Sequence, residues 1–196
     1  MTTPQATVED YDVVIIGAGI NGAGLFHDLC NQGIRCLLVD KRDFGSGTSA
    51  APSRLIHGGL KYLETGEFGL VAESTLERNL LLKNAPHLVK PLPTILPVRS
   101  WANGIWAATK TFLGFKAAFK SRGAVLIKIG LSMYDFFGRK ERVMPRHKML
   151  GRKRALQQLP SLTSDIVGVG MYYDAFVASP ERLVLELVHR ILKLKK

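Results

Sequence analysis

A mostly apolar run that breaks into closely spaced glycines is the feature that most constrains this fold. Tyr11 to Ile16 is rich in β-branched side chains and is followed by GAGING. Its lack of alternation predicts a strand buried on both faces. A helix is predicted through about Asn31, with Gly33 placed to end it, and RCLLVD then predicts a second strand. These elements together predict a βαβ unit.

The glycine spacing and one acidic residue indicate what this unit binds. Gly17, Gly19 and Gly22 follow the pattern GxGxxG, and Asp40 closes the second strand 18 residues after Gly22. In a dinucleotide site the first glycine permits the tight turn, the second admits the pyrophosphate and the third allows close helix–strand packing. The helix N-terminus offers N–H groups to phosphate, and a carboxylate after the second strand accepts ribose hydroxyls. A glycine-rich turn without a ligand explains neither the spacing nor the acid.

The choice between FAD and NAD depends on the next segment, because the βαβ unit alone leaves it open. Residues 43–64 read DFGSGTSAAPSRLIHGGLKYLE. The first half is small and rich in hydroxyl and N–H donors, which suits a loop laid along a cofactor. The pair Gly58-Gly59 after His57 suggests that the backbone there passes close to a flat ligand.

Five segments in this order resemble the N-terminal portion of the FAD-dependent, quinone-linked glycerol-3-phosphate dehydrogenases. They are DVVIIGAGINGAG, GTSAAPSRLIHGGLKYLE, LLLKNAPHLV, IGLSMYDFFG and YYDAFVASPERLVLELV, which extend from about residue 12 to 188. The resemblance implies an α/β fold, namely the Rossmann-like FAD-binding βαβ unit of a two-domain, DAO-like flavoprotein oxidoreductase. It also implies oxidation of sn-glycerol 3-phosphate to dihydroxyacetone phosphate, with hydride passing from C2 to flavin N5 and electrons passing to quinone.

The resemblance implies a set of cofactor contacts along the first 60 residues. The expected FAD contacts are Gly17, Ala18, Gly19, Asn21, Gly22, Asp40, Lys41, Thr48, Ser49, Ser53, His57, Gly58 and Gly59. Gly17, Gly19, Gly22 and Asp40 belong to the adenosine diphosphate end, the three hydroxyl residues lie toward the flavin, and the last three sit beside the isoalloxazine ring.

His57 and Arg54 are the candidate catalytic residues. A histidine can act as a base near neutral pH, as removal of the C2 hydroxyl proton requires. The alternative is that His57 only forms a hydrogen bond with the backbone or the flavin. Arg54 can hold an anion or anchor the loop. Lys61 stands where the family pattern leads us to expect arginine, which preserves a positive charge but not a bidentate contact.

The positive charge of the chain is unevenly distributed. The net charge is +11, and thirteen Lys and Arg lie between Lys110 and Arg154 against Asp135 and Glu141. Within residues 101–128, aromatic residues alternate with lysines, as in a helix lying in a membrane interface. The alternative is that the aromatic residues pack against the domain and the lysines are exposed to solvent. No nucleic-acid-binding motif is present. With the family resemblance, this predicts a cytoplasmic protein, peripheral on the inner face of the cell membrane.

Several classes of protein are disfavoured by what the sequence lacks. No stretch reaches the roughly 18 uninterrupted apolar residues of a spanning helix, and the first residues do not read as a secretory signal. Cys30 and Cys36 have no zinc or redox spacing, and the five histidines are scattered, so we expect no metal site and two small buried cysteines.

The domain organisation is predicted from composition along the chain. We expect a tail at 1–11, the first part of an FAD-binding domain at 12–100, a basic segment at 101–154, and the start of a substrate domain or return segment at 155–196. Flavoproteins of this type are about twice this length or more, so we expect the chain to be C-terminally incomplete. One alternative is a non-catalytic membrane-associating fragment or subunit that needs a C-terminal partner chain, and another is an FAD-dependent amine or amino-acid oxidase. The possible protein partners are such a C-terminal chain or further copies of this chain in a homo-oligomer.

Overall fold

A computed structural model describes residues 10–101 and 123–194 of the chain. The chain divides into two compact units. Unit 1 combines the residues up to Arg54 with those from Val177 onward, and unit 2 runs from Leu55 to Phe176. The composition-based segments 12–100, 101–154 and 155–196 stay a prediction.

Unit 1 contains the predicted βαβ arrangement. Strand β1 (Val13–Ile16) leads into helix α1 (Ile20–Asn31), and strand β2 (Cys36–Val39) pairs with β1 in parallel. The register places Val13 opposite Cys36 and Ile16 opposite Val39. A short 3₁₀ helix at Thr48–Ala50 and the last helix, Pro180–Leu194, complete the unit. The predicted α/β class is confirmed.

Helix α1 ends in the way that the sequence predicts. Gly33 has a left-handed φ of +84°. Its N–H donates to the carbonyl of Cys30 at 3.1 Å, and the N–H of Ile34 donates to the carbonyl of Leu29 at 3.1 Å. This pair of bonds is a Schellman motif, which satisfies carbonyls at the helix end. The predicted helix end at Gly33 is confirmed.

The core of unit 1 lies on one face of the two-stranded sheet. Residues from both strands and both long helices form one cluster: Ile15, Ala23, Phe26, Cys36, Val184, Val188 and Ile191. On the opposite face Val14 is 56% and Ile16 is 86% exposed. The prediction of a strand buried on both faces is therefore wrong for this structure, because helices α1 and Pro180–Leu194 pack against one side. Cys36 is buried as predicted, whereas Cys30 is only half-buried.

Unit 2 is built around one long strand that pairs with three others. Strand β6 (Gly168–Val177) hydrogen-bonds to β3 (Leu55–Ile56) and β4 (Val89–Val98). Strand β5 (Lys148–Gly151) pairs with the first half of β6, and both β3 and β5 run antiparallel to it. The helical elements of the unit are a 3₁₀ helix (Leu60–Leu63), α2 (Phe68–Asn84), α3 (Ala124–Phe137) and α4 (Arg152–Gln158).

The later elements were predicted with mixed success. The sequence IVGVGMYYDAF predicts a strand, and Ser179-Pro180-Glu181 predicts a helix that begins at Pro180; strand β6 and the last helix, α5, confirm both. The sequence MPRHKMLGRKRALQQLPSL predicts a basic loop followed by a short helix. The loop prediction is wrong in part, because Lys148–Gly151 pairs with β6 as strand β5. Within residues 10–101 and 123–194, no helix combines the length and the hydrophobicity that crossing a membrane requires.

Candidate functional site

The glycine turn after β1 has the geometry that the sequence motif predicts. Gly17 adopts a φ of +107°, and its N–H donates to the carbonyl of Val39 at 2.8 Å. A Cβ on Gly22 would lie 1.8 Å from the carbonyl oxygen of Gly17 and 3.5 Å from Cγ2 of Ile15. No side chain fits at Gly22, so α1 can approach the end of β1 only with glycine there.

Asp40 organises the same turn. Its Oδ2 accepts the N–H of Ala18 at 2.7 Å, and its Oδ1 accepts the N–H of Arg42 at 2.9 Å. The bond from Ala18, followed by that from Arg42, lowers the pKa of the Asp40 carboxyl below its usual value. Each carboxylate oxygen has more than one lone pair, so these contacts leave acceptor capacity for a ribose hydroxyl.

Ser49 lies at the start of helix α1. Its Oγ accepts the N–H of Ile20 at 2.9 Å, and a Cβ on Gly19 would lie 3.2 Å from that oxygen. The expectation that the first N–H groups of α1 are free is therefore wrong for Ile20. The hydroxyl of Ser49 still has a proton to donate, so Ser49 can bind an anion while it caps the helix. The loop is held to the turn by Gly45, whose N–H donates to the carbonyl of Ala18 at 2.8 Å.

Unit 1 thus brings together much of the predicted adenosine diphosphate end of the cofactor site. The glycine turn and Asp40 are linked by the contacts above. Ser49, which was expected toward the flavin, instead lies at the start of α1 beside this turn. Four further predicted residues are exposed at the surface of the unit: Asn21, Lys41, Thr48 and Ser53. Their contact with a cofactor stays a prediction.

Arg54 has an unusual backbone for a residue with a side chain. Its φ is +61°, and its carbonyl accepts the N–H of Val177 at 2.9 Å. Left-handed backbone is uncommon outside glycine, asparagine and aspartate. The backbone of Arg54 therefore anchors this loop, while the anion-binding role of its exposed side chain stays a prediction.

The pair Gly58-Gly59 is explained by packing inside unit 2. A Cβ on Gly58 would lie 2.4 Å from Cγ2 of Thr75 and 2.4 Å from the hydroxyl oxygen of Tyr134. Gly59 has a φ of +71°, and a Cβ there would lie 2.5 Å from the ring of Tyr62. Both glycines are buried, and His57 before them is exposed. The glycine pair is thus no evidence for a flat ligand, and flavin contact at these three residues stays a prediction.

The amide of Gly58 belongs to a buried polar network that sequence reasoning missed. It donates to the hydroxyl of Tyr134 at 2.9 Å and to Oδ1 of Asp174 at 3.2 Å. The hydroxyl of Tyr134 donates to the same Oδ1 at 2.6 Å. Nη1 of Arg78 donates to Tyr134 at 2.6 Å, to Asp174 at 3.0 Å and to the carbonyl of Tyr173 at 3.2 Å.

The network holds a buried charge pair. The side chains of Arg78 and Asp174 are each 4% exposed. Burial raises the pKa of Tyr134 well above its usual range, so its hydroxyl remains a donor. Burial, followed by the charge of Asp174, also raises the pKa of Tyr172 to about 12. Nη2 of Arg78 donates to Asn79, while its Nε is buried without a hydrogen-bond partner within the described structure.

A signal for this network was present in the sequence. Arg78 and Asn79 interrupt the buried face of α2, and Asp174 interrupts the apolar strand β6. A charged residue on an otherwise buried face needs a partner. The sequence does not show which residues pair, because Arg78, Tyr134 and Asp174 lie on separate elements.

A second polar cluster in unit 2 contains a histidine. Nδ1 of His147 lies 2.7 Å from Oδ2 of Asp135, and the N–H of His147 donates to the same oxygen at 3.0 Å. Arg142 donates to the carbonyl of Asp135. These contacts tie the segment before β5 to helix α3. In the part of the chain that the structure describes, no group of three or more His, Cys, Asp or Glu is arranged to hold a metal ion.

Most of the predicted membrane-contacting segment, residues 101–128, lies outside the described residues. Its described end enters helix α3, where Ala124 and Ile127 pack with Val98 and Leu131 in a core cluster. Val125 and Ile129 are on the exposed side of α3, at 48% and 55% exposure. Membrane contact by this segment stays a prediction.

Comparison with known families gives a match over nearly the whole chain. Residues 12–195 match the FAD dependent oxidoreductase family, DAO. Among curated relatives, a glycerol-3-phosphate dehydrogenase of Synechocystis is 39% identical over 186 residues, which cover 94% of this chain and 30% of the relative. One from Mycobacterium leprae is 40% identical over 173 residues, covering 86% of this chain and 26% of the relative. The chain thus spans less than a third of the length of these curated relatives.

Solved structures show the same fold. The glycerol-3-phosphate dehydrogenase of Bacillus halodurans, complexed with FAD, superposes with a TM-score of 0.56 at 25% identity and covers 94% of this chain and 25% of that one. The L-α-glycerophosphate oxidase of Mycoplasma pneumoniae has a TM-score of 0.60 at 17% identity, covering 96% of this chain and 44% of that one. The second similarity supports the fold alone.

Proposed function

The chain belongs to the FAD-dependent oxidoreductase family, and we propose that it supplies FAD-binding residues for the oxidation of glycerol 3-phosphate. One observation carries the cofactor part of this proposal. The turn from β1 to α1 excludes any side chain at Gly22, and the carboxylate of Asp40 is hydrogen-bonded to the same turn. The substrate part is supported by relatives at 39% and 40% identity that are named glycerol-3-phosphate dehydrogenase.

The residues of unit 1 fit the adenosine diphosphate end of FAD. Gly19 leaves the start of α1 without a Cβ, so a pyrophosphate can approach the backbone. Ser49 donates its hydroxyl proton to a phosphate oxygen while it keeps the N–H of Ile20. Asp40 accepts the ribose hydroxyls through the lone pairs that its bonds to Ala18 and Arg42 leave open. A carboxylate at this position would also repel a 2′-phosphate.

The resemblance to the family assigns the chemistry of the oxidation to exposed side chains. When bound, FAD would supply the acceptor for the hydride that leaves C2 of glycerol 3-phosphate. His57 is exposed and takes the proton of the C2 hydroxyl. Arg54 is an exposed cation that can hold an anionic group. The product of these two transfers is dihydroxyacetone phosphate.

We extend the proposal to quinone as electron acceptor and to a membrane surface as the location of the chain, peripheral on the cytoplasmic side. The membrane part is supported by the interleaving of aromatic residues and lysines in residues 101–128, and quinone is implied by the family resemblance alone. Trp101, at one end of that segment, is 65% exposed. Binding to anionic vesicles, lost when Lys110, Lys116 and Lys120 become glutamine, tests this part separately from catalysis.

The activity is tested by anaerobic reduction of the flavin. The purified chain is loaded with FAD, and glycerol 3-phosphate, glycerol or glycine is added while the visible absorbance of oxidised flavin is recorded. We expect bleaching by glycerol 3-phosphate alone. Bleaching by glycine would favour the amino-acid oxidase alternative.

A flavin that stays oxidised with all three compounds would refute catalysis by this chain by itself. The next addition is then the C-terminal remainder of a glycerol-3-phosphate dehydrogenase relative as a separate polypeptide. Bleaching that appears only after this addition would support the alternative of a part that needs a partner chain.

A further inference from the structure

Two side chains from separate elements accept the backbone N–H of Gly58 in unit 2, and a third side chain holds both of them. Tyr134 from α3 and Asp174 from β6 accept the N–H, and Arg78 from α2 donates to Tyr134 and to Asp174. The sequence separations from Gly58 are 76 residues for Tyr134 and 116 residues for Asp174. The network therefore fixes a short loop to elements that lie far from it in the sequence.

The hydroxyl of Tyr134 uses every hydrogen-bonding site that it has. An ion pair that only stabilised the fold would not require this. Its hydroxyl oxygen accepts from Gly58 at 2.9 Å and from Arg78 at 2.6 Å, while its proton goes to Asp174 at 2.6 Å. A hydroxyl has one donor and two acceptor sites, and all three are used. Arg78 and Asp174 thus fix the position of the hydroxyl, and the hydroxyl in turn fixes the position of Gly58.

The burial of the charge pair also needs an explanation. Replacing a buried ion pair by apolar residues of similar volume is often neutral or stabilising, so such a pair is weak evidence for a purely stabilising role. Gly58 is matched to the network, because a Cβ there would lie 2.4 Å from the Tyr134 hydroxyl oxygen and 3.0 Å from Nη1 of Arg78. The loop and the network form one fitted arrangement directly after His57.

We propose that Arg78, Tyr134 and Asp174 are positioning residues that hold the backbone of His57 to Gly59 in a single conformation and thereby aim the exposed His57 side chain. The contacts within unit 2 are sufficient to support this positioning of the loop. Its importance for the reaction rests on the proposed function, in which His57 takes a proton from the substrate.

Amide hydrogen exchange in the flavin-free full chain tests the arrangement without any activity. In the unsubstituted chain we expect the buried Gly58 amide to exchange far more slowly than the amide of exposed Arg54 in the loop before it. In Tyr134→Phe we expect exchange at Gly58 to accelerate about tenfold beyond any change in the rest of unit 2. The matched control is Tyr173→Phe, which removes a hydroxyl whose contact is Met171 Sδ at 3.9 Å.

Two results would overturn the proposal. One is a Gly58 amide that is unprotected in the unsubstituted chain, a result that requires no variant to fold. The other is a uniform acceleration across unit 2 in Tyr134→Phe, which would assign the tyrosine to general stability.

Flavin then separates the two proposals. If the chain binds FAD, Tyr134→Phe is expected to alter the visible flavin spectrum and lower the rate of reduction by glycerol 3-phosphate, with little change in the substrate concentration at half-maximal rate. If the chain holds no flavin but Gly58 responds as expected, the proposed function fails while the positioning of the loop stands.

Discussion

Because α1 lies close to the end of β1, alanine substitutions at two glycines of this helix should change the stability of the chain in opposite directions. A Cβ on Gly22 would lie 1.8 Å from the Gly17 carbonyl oxygen, and contacts below 3.0 Å are essentially never observed. In Gly22→Ala the two groups must separate by at least 1.2 Å, which disturbs the turn and the packing beneath it. Overpacking of this kind typically destabilises by about 1–3 kcal/mol. A Cβ on Gly24 meets nothing within 4 Å, so Gly24→Ala is expected to stabilise by up to about 1 kcal/mol through helix propensity.

The assay is urea unfolding of the three chains, followed by far-ultraviolet circular dichroism. We expect the unfolding midpoint of Gly22→Ala to fall and that of Gly24→Ala to stay or rise, with similar slopes. Equal midpoints for the two variants would refute the close approach of Gly22 to Gly17.

Three further substitutions test separate contacts. Hydrogen bonds from Ala18 and Arg42 lower the pKa of Asp40, so its stabilising effect is present above about pH 4 and is lost as the pH falls through the lowered value. Unfolding midpoints of the chain and of Asp40→Asn should therefore converge in acid, and a constant gap across pH would contradict this. Arg54→Gly relieves a φ of +61° and should raise the thermal midpoint, equivalent to about 1 kcal/mol, whereas Arg54→Ala should not. Leu131→Ala opens a cavity in a core where Leu131 is 1% exposed and should destabilise by about 2–5 kcal/mol, measured by urea unfolding, with exposed Ile129→Ala as control.

Local patterns predicted the first half of unit 1 well. The apolar runs, Gly33 and the GxGxxG spacing place β1, α1 and β2 because strand, turn and helix signals here lie within a few residues of each other. Pro180 likewise marks a helix start by its own backbone geometry. These features depend on neighbours in the chain, which a sequence displays directly.

The features that the sequence does not predict depend on contacts between residues that lie far apart in the chain. Ser49 meets Ile20 across 29 residues, and Tyr134 meets Asp174 across 40. No periodicity encodes such a pairing, so the sequence does not show that Gly58 is fitted to Tyr134 and Gly59 to Tyr62. Strand β5 was missed because its four residues form a strand through backbone pairing with β6, without an alternating pattern of their own.

The most direct test of the account is an equilibrium titration of the purified chain with FAD, followed by the quenching of flavin fluorescence. We expect saturable binding of about one FAD per chain. This binding should be weaker in Gly22→Ala and unchanged in Gly24→Ala. A folded chain that shows no saturable binding would contradict the central claim that its glycine turn, Asp40 and Ser49 hold the adenosine diphosphate end of the cofactor.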